Sequence, residues 1–258
     1  MTRPFGRLAW GSVGGLLTLV LVGWGAFNVT NLLAHGQESE VHRFDATEVQ
    51  RLDVQSASGD ITVIAADVDT VTVTADISTS IGRTAHDEAL VDGTLELHSG
   101  CPWFSSWCSV DYTVIVPPSV ELDVHTGNGA VLVRASDAPV TAHSGNGHIE
   151  LVDLSGPIRA TAGNGSLEGR DLRATDVDAS TNNGHLELGF AVPVHRVRAR
   201  TGNGWLEVHV PDRPGAYRVD ATTRNGSRTV AVRTDPTGTD TIDVATGNGH
   251  LQVDYRSP

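Results

Sequence analysis

Glu150, Glu168, Glu187 and Glu207 each stand at the third position after an Asn-Gly pair, and this recurring slot is where the sequence comes nearest to a catalytic constellation. A fold that stacks the surrounding phrases sets these carboxylates side by side. Two neighbouring carboxyls are the machinery of glycoside hydrolysis, and oxygen donors from successive levels suit a divalent cation. Acid–base work, however, needs one carboxyl in a closed pocket that raises its pKa. Alternation along a strand instead turns this slot outward into water, where Arg159, Arg170, Arg198 or Arg200 is available to neutralise it. The aspartate-bearing glycine nonapeptides of calcium-binding β-rolls are missing. The sequence therefore assigns no catalytic residue, no cofactor and no metal, and an enzyme is the disfavoured reading.

Histidines give a thinner signal. His148, His185 and His250 share the first position after Asn-Gly but belong to the second, fourth and seventh phrases, too far apart for one ion if phrases stack about 4.8 Å apart. His125 and His143 precede neighbouring Asn-Gly pairs and could approach one ion, without a third ligand in view. The repeated Gly-Asn-Gly completes no G-x-G-x-x-G in a βα unit, and no phosphate loop or G-x-S-x-G occurs. The chain's two cysteines, Cys101 and Cys108, are expected to form a disulfide; their spacing is not that of a C-x-x-C redox or metal pair. Between them stand Trp103, Phe104 and Trp107, aromatics on a pinned tip, which serve either as a binding hot spot or as a cover for the first level of a stack. Trp205, in the outward first slot, joins them as candidate binding surface.

The elements that position these residues are written in the repeat itself. Asn128-Gly129, Asn146-Gly147, Asn164-Gly165, Asn183-Gly184, Asn203-Gly204, Asn225-Gly226 and Asn248-Gly249 follow one another at intervals of 18, 18, 19, 20, 22 and 23 residues. All but the sixth are followed by the x-apolar-x-apolar phrase, with Gly169 in the last slot of the third, and Ser58-Gly59 opens a worn copy with Ile61 and Val63 in the apolar slots. Aromatics make up only 5% of the chain, while Val, Thr and Gly recur, a balance that favours short strands. Asn-Gly in isolation signals a two-residue hairpin turn, which would give a sandwich or prism. A fixed period with like residues in like slots favours instead an all-β, parallel β-solenoid of the single-stranded β-helix kind, with rungs of 18–23 residues, Asn-Gly at a corner and the asparagines bonded in a ladder. The sixth copy places Arg228 in an apolar slot, so a bulge is expected there, with Val230 and Val232 turned inward. The last copy ends at Val253 with little chain left to cover it, an edge suited to end-to-end pairing.

Ahead of the array, Thr94–His98 and Val110–Val116 alternate around Cys101 and Cys108 and read as a hairpin with a pinched tip. Residues 1–33 read as a cytoplasmic N-terminus and one transmembrane helix. No charge falls between Leu8 and Leu33, and Arg3 and Arg7 precede the apolar run, which orients the rest of the chain outside. A cleaved signal peptide is the competing reading. Residues 34–48 read as a polar tether, 49–120 as an N-terminal β region capping the solenoid, and 121–258 as the array. Beyond the span the net charge is about −15, which speaks against nucleic acid and anionic lipid and leaves cations, cationic protein partners and neutral glycans open as ligands.

With the Asn-Gly phrase, its worn first copy, the strand Asp111–Pro117 and the N-terminal span together, the chain resembles the bacterial β-strand-repeat ectodomains of unknown function that are grouped as candidate adhesins, over roughly residues 49 to 256. That resemblance implies a head-domain-like β-solenoid displayed at the cell envelope and supplies no catalytic residues. The function it leads to is a membrane-anchored, extracytoplasmic binding or structural module. The alternatives are an envelope-stress or signalling accessory protein and a carbohydrate-active β-helix enzyme.

Overall fold

A computed structural model describes residues 36–79, 85–101 and 108–256. The expected span in residues 1–33 and the tip residues Trp103, Phe104 and Trp107 lie outside them. Among the described residues no helix is long and apolar enough to cross a membrane.

The N-terminal part supplies β1 (Gly36–Asp45), a 3-10 turn (Ala46–Glu48), β2 (Arg51–Ser58), β3 (Ile61–Ala65), β4 (Thr70–Thr79), β5 (Ala85–Val91), β6 (Thr94–Gly100) and β7 (Cys108–Val116). The repeats supply pairs of strands on either side of Asn-Gly: β8 (Glu121–Asn128) and β9 (Val131–Arg134), β10 (Val140–Asn146) and β11 (Ile149–Val152), β12 (Ile158–Asn164) and β13 (Leu167–Leu172). There follow β14 (Asp176–Asn183) and β15 (Leu186–Phe190), β16 (Arg196–Asn203) and β17 (Leu206–Val210), and two long strands, β18 (Arg218–Val230) and β19 (Thr241–Tyr255), that run through their corners. All belong to one 19-stranded sheet.

Every first strand lies parallel to the first strands above and below it, and every second strand likewise, in matching register apart from a shift between Gly169 and Leu172 where β13 meets β15. Asn128, Asn146, Asn164, Asn183, Asn203 and Asn248 thus face one another level by level. Hairpins would have given antiparallel neighbours, so the solenoid reading holds. Period 2 then decides what is inside. In one rung Val140, Ala142, Ile149 and Leu151 are buried, and the return segment adds Leu154; each large apolar side chain so covered is worth about 1.5–3 kcal/mol. The longer intervals near the C-terminus come from the return segments 211–217 and 231–240, since the paired core of the rung keeps its register.

Backbone contact sets the corner. A Cβ at Gly204 (φ +136°) would stand 1.9 Å from the carbonyl oxygen of Gly184 on the next rung, so glycine is required by the close approach of backbones and not by a hairpin turn. The asparagine amides donate down the stack in an unbroken row: Asn146 to Asn128 (3.0 Å), Asn164 to Asn146 (2.9 Å), Asn183 to Asn164 (2.8 Å), Asn203 to Asn183 (2.8 Å), Asn248 to Asn203 (2.7 Å) and Asn225 to Asn248 (2.8 Å). Two residues before the asparagine, buried hydroxyls in several phrases answer the glycine carbonyls from inside, whereas the third phrase has Ala162 there and the Thr223 and Thr246 hydroxyls are left without a partner among the described residues. Thr126 donates to Gly59 O (3.0 Å), Ser144 to Gly129 O (2.9 Å) and Thr181 to Gly165 O (3.0 Å), so these carbonyl oxygens gain a partner beneath the corner.

Both ends depart from the sequence reading. β6 and β7 do not form a hairpin: β6 pairs with β2, β7 with β3, and together they make a terminal rung whose corner carries the Cys101–Cys108 disulfide in place of Asn-Gly. A corner between two alternating strands has the same one-dimensional pattern as a hairpin tip. Residues 36–45 are not tether but the edge strand β1, antiparallel to β4, which in turn lies antiparallel to β7; its charged, polar composition is what an exposed edge carries. On the other side β5 folds antiparallel onto β6 through Asp92 (φ +48°) and Gly93 (φ +79°), a two-residue turn with both residues left-handed. Between these two flaps His86 bonds to the Tyr112 hydroxyl (2.8 Å) and to Glu88 (3.0 Å), which also meets His42, closing the stack with polar contacts.

At the C-terminal end the copy around Asn248 is not last. β19 lies between β16/β17 and β18, so the sixth copy is the outermost rung. That place explains its divergence. Arg228 has no rung above it to fill with an apolar group and instead donates to Ala221 O at 2.8 Å. The expected bulge is absent, because β18 pairs residue for residue with β19 from Arg218 to Val230; Val232 is buried as expected, and Val230 is partly buried against the core. The segments flanking β18 complete the cover with buried Tyr217, over whose ring the Arg213 guanidinium sits at 4.3 Å.

Candidate functional site

Three outward rows run along the second strands, at the first, third and fifth positions after Asn-Gly. In spatial order the first row reads Ala130, His148, Ser166, His185, Trp205, His250 and Ser227, and its members bond along the stack. His148 Nδ1 meets Ser166 Oγ at 2.6 Å, His185 lies edge-on to Trp205 with ring centroids 6.4 Å apart, and His250 Nδ1 meets Ser227 Oγ at 2.7 Å. Trp205 is 60% exposed, the most open of the large hydrophobic side chains among the described residues.

The third row holds Leu132, Glu150, Glu168, Glu187, Glu207, Gln252 and Thr229. These glutamates face water, as the alternation required. Their counter-charges come from the fifth row: Arg170 bonds Glu168 at 2.6 Å and Glu150 at 3.3 Å, and Arg134 stands 3.7 Å from Glu150. Bonding to Glu168 and the charge beside it raise the Arg170 guanidinium further above its ordinary value. Of the four arginines expected to neutralise the row only Arg170 does so. Arg198 and Arg200 lie on the first-strand face and meet Asp243 at 3.5 and 3.1 Å; Arg159 is exposed on that face too, in β12. Reading the alternation one step further, to the fifth slot, would have found Arg134, Arg170 and His209.

Past Arg170 the pairing changes character. His185 Nε2 is 3.2 Å from Glu187, and His209 Nε2 is 3.8 Å from Glu187 and 3.7 Å from Glu207. Among the described residues, His185, Glu187 and Glu207 are the one set of three or more metal-binding side chains whose donor atoms converge, all within 4.8 Å. His125 and His143 are adjacent as expected, rings 5.5 Å apart, and burial followed by the neighbouring imidazole lowers the pKa of His143. On the first-strand face a groove of about 620 Å³ runs between Arg196, Arg198, Asp220, Asp243 and Pro236.

A family model described as Toastrack DUF4097 matches residues 41–256. The chain belongs to that family. The matched span takes in the repeats, β5 and the second half of β1, and the match bears out the family resemblance read from the repeated phrase. No curated protein matches the chain. Among solved structures it is similar to a candidate cell adhesion protein from Clostridium sporogenes, at 10% identity over 86% of this chain and 100% of that one, with a TM-score of 0.41. Candidate adhesins from Parabacteroides distasonis (10% identity, 83% and 97% covered, TM-score 0.39) and Bacteroides fragilis (12% identity, 84% and 97% covered, TM-score 0.39) are similar in the same degree.

Proposed function

We propose that this Toastrack domain is an extracytoplasmic, adhesin-like binding module held at the cell membrane by residues 1–33, and that it engages a protein or glycan ligand along the first outward row around Trp205. The observation that supports this reading is the exposure of Trp205 on a rigid, hydrogen-bonded stack. A large aromatic left open on a preorganised surface offers contact area at little cost in conformational entropy and stacks well on sugar or peptide faces. The glutamate row favours binding over catalysis, because its members lie part-exposed on an outer strand face and two of them are tied to Arg170. The anchoring rests on the uncharged run from Leu8 to Leu33 and the arginines before it.

Two measurements test the proposal. The full chain, displayed on cells, is assayed for adhesion to isolated cell-wall glycan and to protein-coated surfaces beside Trp205→Ala; a drop of tenfold or more supports the reading, and equal binding by the variant refutes the Trp205 surface. Membrane fractionation with external protease then tests the topology: recovery in the soluble fraction, or protection of the β domain in intact cells, refutes the anchor.

A further inference from the structure

The geometry points to a divalent transition-metal site of the zinc class on the outer face of β15 and β17, built from His185, Glu187, Glu207 and His209 and oriented by Asp254. Zinc held by imidazole nitrogen and carboxylate oxygen takes four donors about 2.0–2.2 Å from the ion, which sets those donors about 3.3–3.5 Å apart. His185 Nε2 to Glu187 at 3.2 Å, His209 Nε2 to Glu207 at 3.7 Å and His209 Nε2 to Glu187 at 3.8 Å are close to those separations. His185, Glu187 and Glu207 already converge, their donor atoms all within 4.8 Å of one another, and His209 joins them through its approaches to Glu187 and Glu207. All four side chains are between about a fifth and two-fifths exposed, open to an ion from solution.

A second observation is independent of the cluster's charge. His209 Nδ1 donates to a carboxylate oxygen of Asp254, which is itself held by the Gln252 amide at 2.6 Å. Metal-binding histidines characteristically give their other ring N–H to a carboxylate, which fixes the tautomer and leaves the remaining nitrogen with its lone pair free for the ion. Here that free nitrogen is Nε2, the one turned to Glu187 and Glu207. His185 is restrained in turn by the edge-on indole of Trp205. Arg134 and Arg170 pair directly with Glu150 and Glu168, Arg170 reaching Glu187 only through its charge, while the close contacts to Glu187 and Glu207 come from the two imidazoles. Two imidazoles favour zinc and its neighbours over calcium or magnesium, which take oxygen donors. Beside Glu187 and His209 a groove of about 340 Å³ opens where Gly189 carries no side chain, bordered by Arg170, Asp171 and Arg256. An anionic group entering it would reach both guanidinium and metal.

The site stands on its own donors and does not depend on Trp205 binding a ligand. The test is equilibrium dialysis of the detergent-solubilised full chain against Zn²⁺ and Ca²⁺, with Co²⁺ absorption to report tetrahedral coordination. One Zn²⁺ per chain, no Ca²⁺ preference and visible tetrahedral Co²⁺ bands are expected. Asp254→Asn should weaken Zn²⁺ about 10–100-fold, as loss of a carboxylate behind a ligating histidine does elsewhere, and His185→Gln/His209→Gln should abolish the Co²⁺ bands. His148→Gln, in the same first row but outside the set, should leave both unchanged. Melting of each variant without metal separates loss of a ligand from loss of the fold. No zinc bound above background, or a zinc affinity unchanged in His185→Gln/His209→Gln, overturns the proposal.

Discussion

Gly204→Ala isolates the contact on which the stack depends. The new Cβ would lie 1.9 Å from Gly184 O, where real Cβ contacts stay beyond 3.0 Å, and the backbone there has φ +136°. The obstructing atom is main chain, so relief requires the two rungs to part by about 1 Å, enough to take an ordinary hydrogen bond out of range. Three bonds cross that gap: Gly184 N–H to Asn203 O (2.9 Å), Leu186 N–H to Trp205 O (2.8 Å) and the Asn203 amide to Asn183 (2.8 Å). At about 0.5–1.5 kcal/mol each, with about 1 kcal/mol for an alanine forced to left-handed φ, the loss is about 3–5 kcal/mol. Asn203→Ala removes only exposed amide bonds and should cost about 1–2 kcal/mol. Gly189→Ala is the control, since its Cβ meets Gly169 O at an ordinary 3.5 Å; it should change stability by no more than about 1 kcal/mol in either direction. Urea unfolding followed by circular dichroism reads these as shifts in midpoint at unchanged slope. A Gly204→Ala midpoint within about 1 kcal/mol of the Gly189→Ala midpoint would refute backbone contact as the reason for the glycine.

Three further outcomes follow from the ends of the stack. Cys101 and Cys108 close a short corner in the terminal rung, so Cys101→Ser/Cys108→Ser should lose about 2–3 kcal/mol by loop entropy; a melting temperature unchanged by the double variant or by reductant contradicts this. The free edge of β18 carries Arg218, Arg224 and Arg228, charges of the kind that keep edges from pairing. Arg224→Val/Arg228→Val should make the protein associate with rising concentration in light scattering while wild type stays at monomer mass, and a variant that also stays monomeric removes the arginines' protective role. Burial pushes the Tyr112 phenol up from 10.0 to about 12. A group raised in the folded state gives stability that is complete below its unfolded value and fades as pH climbs, so stability should fall between about pH 10 and 12 in wild type and fall less there in Tyr112→Phe. Equal alkaline slopes in the two would show that Tyr112 does not drive the loss.

The repeated phrase made the middle of the fold legible and the ends illegible, for one physical reason. In the middle each slot meets its own copy above and below, so a residue's identity reports its surroundings: Ile149 and Leu151 inside, Glu150 outside, Asn146 bonded to Asn128. At the ends a slot meets something not encoded nearby. Residues 36–45 find their partner in β4, in pairs that run from Asp45 with Thr70 to Gly36 with Thr79, and nothing local in Gln37–Arg43 announces an edge strand. The Asp92-Gly93 turn was the one local signal that could have placed β5. The metal-class cluster was half legible. His185, Glu187 and Glu207 came from the repeat, but His209 lies beyond its conserved length and gains meaning only when the fifth slot is followed outward.

Both swaps of rung order follow from a general requirement on stacks. A terminal rung has one face without a neighbour, so a faithful copy of the phrase there would leave apolar surface and an open backbone edge in water. The chain meets this by laying down a divergent rung outermost and returning inside it: β6/β7 lies outside β2/β3, and β18 outside β19. Arg228 in an apolar slot and cysteines in place of Asn-Gly are therefore marks of position in space, legible as errors only if the chain is assumed to stack in the order it is written. The consequence for function is that the stretch between the two covers, from Asn128 to Asn248, is a long surface whose levels are tied together by an asparagine hydrogen bond at each step. Trp205 and the cluster of His185, Glu187, Glu207 and His209 both fall within it, and a ligand that spans several rungs would meet them at spacings set by the backbone of the stack.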